Sequence, residues 1–313
     1  MKHEHSIITI GFSPAWDITC RIKNPHWGGH INIDDQTIVA AGKALNVSKA
    51  LAWMGQKNIA AGLWGAGDYK QMQAAVQSSW PLIKIKITPV DGNTRKNITI
   101  VDTTKQREMH LRSKSELADT NALRKIRKDL QSIVKKNSIC VFSGAMPEGK
   151  LLEEIVKIIK SCSNLGAKIV LDTSGPALKK IVRTGLVWLL KPNIKELREL
   201  LGANIEDKTD SLIQAGREIL DKVEIVLISR GKKGAIVVTK DAAWQGKCIS
   251  RKKTLSTVGC GDYLLAGFLK VFKDTSKIDS ALAIAIKTAT CKAWGITEQK
   301  TMPQVQISLK RAK

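Results

Sequence analysis

The sequence predicts an α/β protein with a doubly wound, mostly parallel sheet and a small additional β-sheet that acts as a lid. Short apolar runs alternate with segments of helical periodicity over most of the chain, which is typical of parallel strands joined by helices. Two polar, strand-like stretches interrupt the alternation. With 313 residues, the chain is long enough to bury a large core.

The main domain follows from the alternation itself. A predicted strand is a short apolar run, and a predicted helix repeats apolar residues at intervals of three and four. The predicted strands span residues 6–12, 59–63, 139–143, 168–172, 186–190 and 225–229. The predicted helices span residues 44–54, 70–79, 123–134, 151–164, 177–184, 194–201, 212–220 and 263–272.

The lid is predicted from residues 12–39 and 91–112, which are polar and poor in helix signals. Two separated stretches of this kind can pair into one small sheet beside the main domain. Ligands of α/β proteins lie at the carboxyl ends of the strands, so a small sheet there would cover the ligand. Its exposed strand edges also suggest a homodimer, because unpaired edges need cover. The α/β domain then comprises residues 1–11, 40–90 and 113–313.

Composition and charge restrict the class of protein. Apolar residues make up 43% and charged residues 25%, as in ordinary soluble proteins, and no apolar run approaches the roughly 18 residues of a membrane span. The chain carries 51 Lys and Arg against 28 Asp and Glu, and the net charge of +23 attracts nucleotides, sugar phosphates and nucleic acids. The basic residues are scattered without a basic–aromatic block, so we expect no specific nucleic-acid partner and no membrane partner.

The six cysteines form no C-x-x-C pair, and their spacing fits neither a zinc site nor a dense set of disulfides. The first residues do not read as a signal peptide. We therefore expect reduced thiols and a cytoplasmic location.

The segment Ser256-Thr-Val-Gly-Cys-Gly-Asp262 is the most informative motif, because a glycine-rich turn there opens a strongly apolar helix. Small residues allow consecutive backbone N–H groups to point at one spot, and a helix N-terminus adds about half a positive charge. This combination is a phosphate cradle, with Asp262 able to take a proton from an alcohol that attacks the phosphorus. The alternative is a tight loop through Gly259 and Gly261, in which Asp262 only caps the helix.

A second segment, Gly65-Ala66-Gly67-Asp68, has the same Gly-x-Gly-Asp form and also lies between a strand and a helix. Local spacing alone does not distinguish the two segments. The choice between them depends on the rest of the chain.

Several segments, taken in order, resemble the PfkB (ribokinase-like) carbohydrate kinase family. Residues 40–55 resemble its first signature, a glycine-rich turn followed by Asn and an apolar helix, and residues 256–268 resemble its second, G-A-G-D before an apolar helix. Four more segments resemble further motifs of the family. Residues 62–68 resemble its structural G-x-x-G-x-D, and residues 142–149 resemble its S-G-S-x-P-x-G loop. Residues 191–196 resemble its K-P-N-x-x-E, and residues 229–235 resemble its glycine turn near the nucleotide. The resemblance runs from about residue 7 to about residue 295 and implies a ribokinase-like fold and a kinase that uses ATP and Mg²⁺.

The resemblance implies roles for the second signature. Asp262 resembles the catalytic base of the family. The backbone amides of Gly259, Cys260 and Gly261 resemble its anion hole, which stabilises the transferring phosphoryl group.

The nucleotide side is implied by two further segments. Asn193 and Glu196 resemble the pair that organises Mg²⁺ and the phosphates, with Glu196 acting on the metal through water; the same Asn-x-x-Glu pattern is also a helix capping box. Ser229 and Gly231 resemble a loop beside the nucleotide, for which the alternative is an ordinary hairpin turn between two apolar strands.

The sugar side is implied by three segments. Asp17 lies in a stretch that resembles N-P-x-x-D, whose Asp binds sugar hydroxyls. Gly42, Lys43 and Asn46 resemble sugar contacts of the first signature, although a helix-cap or loop role also explains Asn46. Arg95 resembles the arginine of a T-R-x-N segment in the sugar-phosphate branch, where a planar fork suits the phosphate of the substrate; the alternative is an exposed arginine on a lid strand.

Some positions depart from the family pattern. Two glycines beside the sugar turn and one loop serine are alanines, and Ser256 stands where Asp is usual, a variant similar to that of 1-phosphofructokinases. A second phosphate-binding arginine has no clear position, and its candidates are Arg107, His110 and Arg112. These departures bear on the identity of the substrate rather than on the kinase chemistry.

The resulting hypothesis is ATP-dependent transfer of a phosphoryl group to a hydroxyl of a sugar phosphate, as in 1-phosphofructokinase and tagatose-6-phosphate kinase relatives. The first alternative is a kinase for a non-phosphorylated sugar or a nucleoside, of the fructokinase or ribokinase kind. Arg95 and the positive charge of the chain argue against that alternative. A remote alternative is a nucleic-acid-binding protein.

Overall fold

The computed structural model describes residues 6–250, 252–296 and 303–312, which contain fourteen strands and nine α-helices. The strands are β1 (Ile7–Gly11), β2 (Ala15–Ile22), β3 (Asp35–Ala41), β4 (Asn58–Gly65), β5 (Ile83–Val90), β6 (Arg95–Asp102), β7 (Arg107–Arg112), β8 (Ile139–Ser143), β9 (Lys168–Asp172), β10 (Val187–Leu190), β11 (Val223–Ser229), β12 (Ala235–Val238), β13 (Ala243–Cys248) and β14 (Ile307–Ala312). The helices are α1 (Lys43–Trp53), α2 (Tyr69–Ser79), α3 (Thr120–Ile133), α4 (Lys150–Asn164), α5 (Gly175–Val182), α6 (Ile194–Leu201), α7 (Thr209–Arg217), α8 (Cys260–Thr275) and α9 (Ile278–Ala293).

The larger sheet has ten strands in the order β14-β13-β12-β11-β10-β9-β8-β1-β4-β5. All neighbours from β11 to β5 are parallel, and β12, β13 and β14 add an antiparallel extension at one end. The predicted mostly parallel sheet is therefore confirmed. Within the antiparallel extension, the hairpin between β11 and β12 is the alternative interpretation given for Ser229 and Gly231, whereas β13 and β14 were not predicted.

Helices cover both faces of this sheet, as a doubly wound fold requires. On one face, α3 to α7 pack on the strands through buried side chains such as Ile126, Ile155 and Leu212. On the other face, α1, α8 and α9 do so through Leu51 and Phe268, among others. The core thus lies in two layers, and the strand ends between them are left for a site.

The smaller sheet has four strands in the order β3-β2-β6-β7. It is mixed, because β2 runs antiparallel to β3 and parallel to β6, while β6 and β7 are antiparallel. The two stretches predicted to form a small sheet supply these four strands. β3 extends two residues beyond the predicted stretch and ends at Ala41, shortly before α1 begins. That this sheet is a separate unit that closes over a ligand stays a prediction.

Three further findings complete the fold. The edge strand β5 and the long helix α9 were not predicted from the sequence. No helix among the described residues combines the length and the apolar character needed to cross a bilayer. All six cysteines are unpaired thiols, as predicted.

Candidate active site

The candidate site lies where the carboxyl ends of β8, β9 and β10 meet the N-terminal turns of α1 and α8. Ser143 and Asp172 are the last residues of β8 and β9, and Lys191 directly follows β10. Asn46 lies in the first turn of α1, and Asp262 is the third residue of α8. Parallel strands bring residues that are distant in sequence to one edge, which is where this architecture binds ligands.

Asp262 is the central carboxylate of the site. It is 4% exposed, and its Oδ2 accepts a hydrogen bond of 2.9 Å from Nδ2 of Asn46. Burial, followed by the charge of Asp172, raises the pKa of Asp262 to about 7, against the opposing effects of Asn46, Lys43 and Lys191. A carboxylate with a pKa near neutrality is suited to accept a proton at physiological pH.

The turn before α8 provides main-chain donors. Gly259 adopts a left-handed conformation with φ 78°, which lets the chain enter the helix abruptly. The amide of Cys260 donates to the carbonyl of Thr257 at 3.3 Å. The amides of Gly261 and Asp262 lie in the first turn, where a helix offers them no acceptor, so they remain available for an anion.

Asp172 and Lys191 were missed by sequence reasoning. Asp172 is fully buried, and its Oδ1 lies 3.1 Å from Nζ of Lys191 and 3.6 Å from Nζ of Lys43. Ser143 Oγ donates to its Oδ2 at 3.1 Å. Burial acts to raise the pKa of Asp172, but Lys191 and Lys43 outweigh it, and the pKa lies below its ordinary value. Two signals were available: a strand that ends in Asp, and the Lys that begins the K-P-N segment.

Lys43, predicted as a sugar contact, points to this acidic cluster. The charge of Asp172 raises the pKa of Lys43 against the effect of burial, with further contributions from Asp262 and Glu196. Gly42 precedes it with φ 123°, and a Cβ there would lie 3.2 Å from Cα of Pro14. Gly42 therefore permits a close approach between the start of α1 and the 13–14 turn.

Asn193 and Glu196, which were predicted to lie near a nucleotide, form a helix capping box, one of the two interpretations of the Asn-x-x-Glu pattern. The Glu196 amide donates to Asn193 Oδ1 and the Asn193 amide donates to Glu196 Oε2, both at 2.9 Å. Ser229 lies next to this pair, because its amide donates to the carbonyl of Pro192 at 2.9 Å. Gly231, with φ 55°, begins the turn after β11.

A cavity of about 360 Å³ connects these residues to α8. Its walls combine the turn after β11, the start of α8 and the last turns of α9. Residues that line it include Ser229, Gly231, Cys260, Gly261, Leu264, Ile286 and Trp294. A lining with both polar groups and apolar side chains suits a molecule with a charged and a flat apolar part.

The described residues contain no cluster of three or more acidic, His or Cys side chains that would enclose a metal ion. Mg²⁺ in phosphoryl-transfer enzymes is held mainly by phosphates and water, with one or two carboxylates, and does not need such a cluster. Glu196 is 7% exposed and uses one carboxylate oxygen for the helix cap. The donor set therefore fits a hydrated Mg²⁺ that is carried by a nucleotide.

Around Asp17, which was predicted to bind sugar hydroxyls, three residues form one row across the smaller sheet. Asp17, Asn97 and Arg112 are register partners on β2, β6 and β7. Asn97 Nδ2 donates to Asp17 Oδ1 at 2.8 Å, and Arg112 Nη1 lies 3.7 Å from the same oxygen. Of the three candidates for a second arginine position, Arg107 pairs with Asp102 and His110 with Thr99, whereas Arg112 lies beside Asp17.

The guanidinium of Arg95 holds the chain between the two sheets. It donates to the carbonyls of Pro14, Ser13 and Ser113 at 3.2, 3.3 and 2.7 Å. Burial lowers the pKa of Arg95, with the charges of Asp17 and Arg112 acting in opposite directions. Arg95 thus fixes the turn that precedes β2 and lies in the electrostatic neighbourhood of Asp17.

Comparisons with known proteins identify the family of the chain. The chain matches the model of the pfkB family of carbohydrate kinases over residues 19–302. It is 31% identical over 291 residues to 1-phosphofructokinase of Borreliella burgdorferi, a match that covers 92% of this chain and 91% of that protein.

Solved structures share the fold. Phosphofructokinase-2 from Escherichia coli in complex with fructose-6-phosphate superimposes with a TM-score of 0.85 at 20% identity, over 92% of this chain and 94% of that one. A possible 1-phosphofructokinase from Thermotoga maritima gives a TM-score of 0.80 at 20% identity, over 99% and 100% of the two chains.

The family match and the shared fold define a carbohydrate kinase with a ribokinase-like architecture. The chain belongs to the pfkB family of carbohydrate kinases.

Proposed function

We propose that this protein transfers the γ-phosphoryl group of ATP to a hydroxyl group of a sugar phosphate. The observation that carries the proposal is Asp262, buried beside free helix N-terminal amides and hydrogen-bonded to Asn46. The name of the 31% identical relative, 1-phosphofructokinase, supports a phosphorylated sugar as the acceptor. The high positive charge of the chain favours anionic substrates in the same way.

The chemistry assigns one task to each group. Asp262 accepts the proton of the attacking hydroxyl, and Asn46 holds the carboxylate in position through the 2.9 Å hydrogen bond. The amides of Gly261 and Asp262, with the turn through Gly259 and Cys260, stabilise the charge on the transferring phosphoryl group. Phosphoryl transfer depends mainly on such positioning and charge stabilisation.

ATP occupies the cavity between the turn after β11 and α9. Ser229 and Gly231 line this cavity, as does Gly261, the residue before Asp262. Mg²⁺ would neutralise phosphate charge, with Glu196 holding it through water beside Asn193. The apolar side chains of Ile286 and Trp294 suit the adenine ring.

The acceptor sugar lies between α1 and the smaller sheet. Asp17 binds sugar hydroxyls, and Asn97 keeps its carboxylate oriented. Arg112 and Arg95 supply the positive charge for the phosphate that the acceptor already carries. Gly42, Lys43 and Asn46 complete the wall on the side of α1.

A substrate panel tests the proposal. Fructose 1-phosphate, fructose 6-phosphate, tagatose 6-phosphate, fructose, ribose and adenosine are each supplied with ATP and Mg²⁺, and ADP release is followed by a coupled assay. We expect turnover of at least one sugar phosphate and little turnover of the neutral acceptors. Turnover of neutral acceptors alone would favour the fructokinase or ribokinase alternative, and no turnover at all would contradict a kinase of these substrates.

We also propose a homodimer formed through the smaller sheet. Its face opposite Asp17 carries one apolar row across all four strands: Ile38, Ile18, Ile98 and Leu111 are register partners. Ile38 is 54% exposed and Leu111 is 46% exposed, which is costly for large apolar side chains in one patch. A second copy of the same sheet would cover the row and the edges of β3 and β7.

Light scattering coupled to size exclusion tests the dimer. We expect the mass of two chains for the unmodified protein and of one chain for Leu111→Glu. The control Leu165→Glu adds the same charge at a half-exposed leucine that directly follows α4 and should leave the mass unchanged. A monomer before any substitution would contradict the dimer. We further propose a cytoplasmic location, which the unpaired cysteines support.

A further inference from the structure

Basic residues that are scattered along the sequence gather on one face of the folded chain. Helices α3, α4 and α5 contain nine Lys and Arg against three Asp and Glu. The neighbouring helices α6 and α7, which pack on the same face of the larger sheet, contain three of each. The excess positive charge of this layer is therefore concentrated on the exposed surface of α3, α4 and α5, which we call the basic face.

Two open grooves cross the basic face, one between each pair of neighbouring helices. The groove between α3 and α4 has a volume of about 470 Å³ and is lined by four cations and three neutral polar side chains. The groove between α4 and α5 has a volume of about 570 Å³ and is lined by three cations. The described residues that line the two grooves include no acidic side chain. The cations are Arg127, Lys128, Lys157 and Lys160 in the first groove and Lys179, Lys180 and Arg183 in the second.

Most of these cations have no acidic partner. Nζ of Lys157 lies 2.6 Å from Glu154, and Nζ of Lys180 lies 3.3 Å from Glu153. For the other five, the part of the chain that the structure describes places no carboxylate within ion-pair distance. The hydrogen bond from Lys157 lowers the pKa of Glu154, and the charge of Arg127 lowers it further. The basic face thus carries positive charge that the protein itself does not neutralise.

The helix dipole does not account for this arrangement. Cations in the last turn of a helix are favoured by the dipole, and Lys179 and Lys180 lie in the last turn of α5. The last turns of α3 and α4 carry no cation, although both helices are basic. The groove-lining cations of α3 and α4 therefore lie where the dipole gives them no advantage.

The grooves open away from the candidate active site. A helix that joins two parallel strands runs back along the sheet, so its second half lies toward the amino ends of the strands. Helices α4 and α5 join parallel strands, and Lys160 and Lys179 lie in their second halves. The candidate active site lies at the carboxyl ends of the same strands. A ligand on the basic face therefore leaves the catalytic cleft accessible.

The residues of the grooves select among polyanions. Gln131, Ser161 and Asn164 lie beside the cations and offer further donors that suit phosphate oxygens. Single strands are bound by stacking of bases on aromatic side chains, and α3, α4 and α5 contain none. A lipid surface is bound by exposed Trp, Phe or Leu, and the described part of the basic face exposes one large apolar side chain, Leu165. These features favour the phosphate backbone of a double strand.

We propose that the basic face binds a nucleic-acid duplex through its phosphates, without reading its sequence. Neighbouring helices of a layer lie roughly 10 Å apart, so the two grooves are separated by about one such spacing. The major groove of a duplex is roughly 12 Å wide, and a row of phosphates borders it on each side. Each groove of the protein then holds one row. This inference does not depend on the proposed function, and it agrees with the absence of a specific nucleic-acid partner, because phosphate contacts carry no sequence information.

The first experiment follows the fluorescence anisotropy of a labelled DNA duplex of about 20 base pairs during titration with the full chain in saturating ATP and Mg²⁺. We expect Kd to rise about 100-fold between 50 and 200 mM salt, as contact with about four phosphates predicts. An unlabelled single strand and anionic lipid vesicles should displace little of the duplex. Binding to the vesicles without binding to the duplex would overturn the inference, and so would loss of duplex binding in saturating ATP, which would place the duplex in the catalytic cleft.

The second experiment reverses unpaired cations of each groove in turn. Lys128→Glu with Lys160→Glu changes the groove between α3 and α4, and Lys179→Glu with Arg183→Glu changes the groove between α4 and α5. We expect each pair to raise Kd at least about 10-fold at 50 mM salt and to reduce the slope of log Kd against log salt by about two, one for each lost phosphate contact. An effect of one pair alone would overturn the arrangement in which two grooves hold two phosphate rows.

A matched control separates the basic face from the net charge of the chain. Lys70→Glu with Lys277→Glu changes the net charge by the same amount at exposed positions on α2 and directly before α9. We expect Kd to change by no more than about threefold, with the slope unchanged, because these lysines contact no phosphate. Equal losses in the control and in the groove variants would mean that net charge alone attracts the duplex, which would overturn the inference.

Thermal melts and turnover accompany each variant. The substituted residues lie on helix surfaces outside the candidate active site, so the melting temperature and kcat with the acceptor found in the substrate panel should match those of the unmodified protein. If the pair on α3 and α4 lowers the melting temperature, Lys128→Met with Lys160→Met removes the charges without adding repulsion and should still reduce the salt slope by about two. An unchanged slope in that folded variant would overturn the inference, whereas a chain without turnover would contradict the proposed function alone.

Discussion

Two segments of the form Gly-x-Gly-Asp, 65–68 and 259–262, occupy equivalent places in local structure and differ in what their polar groups do. The first links β4 to α2, and the second opens α8. Both are glycine-rich turns before a helix, so a motif search treats them alike. Their difference lies in which donors and acceptors the fold has already used.

The amides of the first segment are taken by the chain. Gly65 donates to Thr94 Oγ1 at 3.2 Å, Ala66 to the carbonyl of Val90 at 2.7 Å, and Gly67 to that of Gly92 at 3.1 Å. In the second segment, the Cys260 amide donates weakly at 3.3 Å. The first turn therefore ties the two sheets together, and the second leaves donors for a ligand.

The two carboxylates differ in the same way. Asp68 accepts hydrogen bonds from Trp16 Nε1 and from the amide of Thr94, which fills both of its oxygens. Asp262 accepts one, from Asn46, and burial raises its pKa to about 7. A Gly-x-Gly-Asp turn is thus a structural joint or a phosphate cradle according to whether its polar groups are satisfied internally.

The largest expected effect separates the two carboxylates directly. Asp262→Asn removes the proton acceptor while keeping the shape of the side chain, so kcat should fall about 10²–10⁴-fold with ATP affinity nearly unchanged. Asp68→Asn should keep kcat within a small factor and lower the melting temperature, because its oxygens serve the junction between β2, α2 and the 92–94 turn. Kinetics, calorimetric ATP binding and thermal melts check the pair.

Equal losses of kcat in the two variants would mean that the segments are not distinguished by their hydrogen bonds. Near-normal turnover by Asp262→Asn would remove the mechanism altogether.

A smaller effect is expected from alanine substitutions at one glycine of each segment, Gly261 in the second and Gly65 in the first. A Cβ on Gly261 would contact only Nζ of Lys191, at 3.5 Å, so Gly261→Ala should leave stability intact but displace groups at the phosphoryl site and lower kcat roughly 10–100-fold. A Cβ on Gly65 would lie 2.6 Å from Cα of Asn93, and Gly65→Ala should cost on the order of 1–3 kcal/mol of stability.

Urea unfolding and steady-state rates check both glycine variants. A loss of stability in Gly261→Ala with unchanged kcat per folded molecule would reverse the assignment.

The pH dependence of stability offers a third distinction. The folded-state pKa of Asp262 is about 7, above its ordinary value of 3.8, which means that folding favours the protonated carboxyl group. The contribution of this raised pKa to the free energy of unfolding is fully present below about pH 4 and is lost as the pH rises through 7. Asp262→Asn should therefore be more stable than the unmodified protein at pH 8, on the order of 1–3 kcal/mol, with the difference vanishing near pH 4. Unfolding by urea at several pH values checks this; a difference that does not change with pH would contradict the raised pKa.

Much of the fold could be predicted because periodicity and burial coincide in the parallel strands. Strands such as β8 and β9 are buried on both faces and read as apolar runs. β5 was missed because Lys84 and Lys86 interrupt the apolar run by which strands were identified; their alternation with apolar residues is instead typical of a half-buried strand, here at the edge of the sheet. The strands β13 and β14 are short, and β14 follows a long helix, so no local pattern announces the pairing of β13 with β12 or of β14 with β13.

The site was predicted in part for a related reason. Motif residues such as Asp262 lie in turns whose glycines are visible in sequence. Asp172 and Lys191 lie at or just after strand ends, and Asn97 lies within β6. The partners of all three come from other strands, and only topology brings them together. The three hydrogen bonds that Arg95 donates to backbone carbonyls likewise depend on tertiary contacts, which the spacing of residues along the sequence does not show.

The smallest expected effect concerns the middle residue of each segment, Ala66 in the first and Cys260 in the second. Burial raises the pKa of the Cys260 thiol above its ordinary value, so it stays neutral at pH 7, and the group that faces the phosphates is its backbone. Cys260→Ala keeps that backbone and makes the segment match the first one in sequence, so kcat should change by no more than about two- to threefold. If kcat instead collapsed, the thiol would take part in binding or transfer, and main-chain donors alone would not explain why one Gly-x-Gly-Asp turn is catalytic and the other is structural.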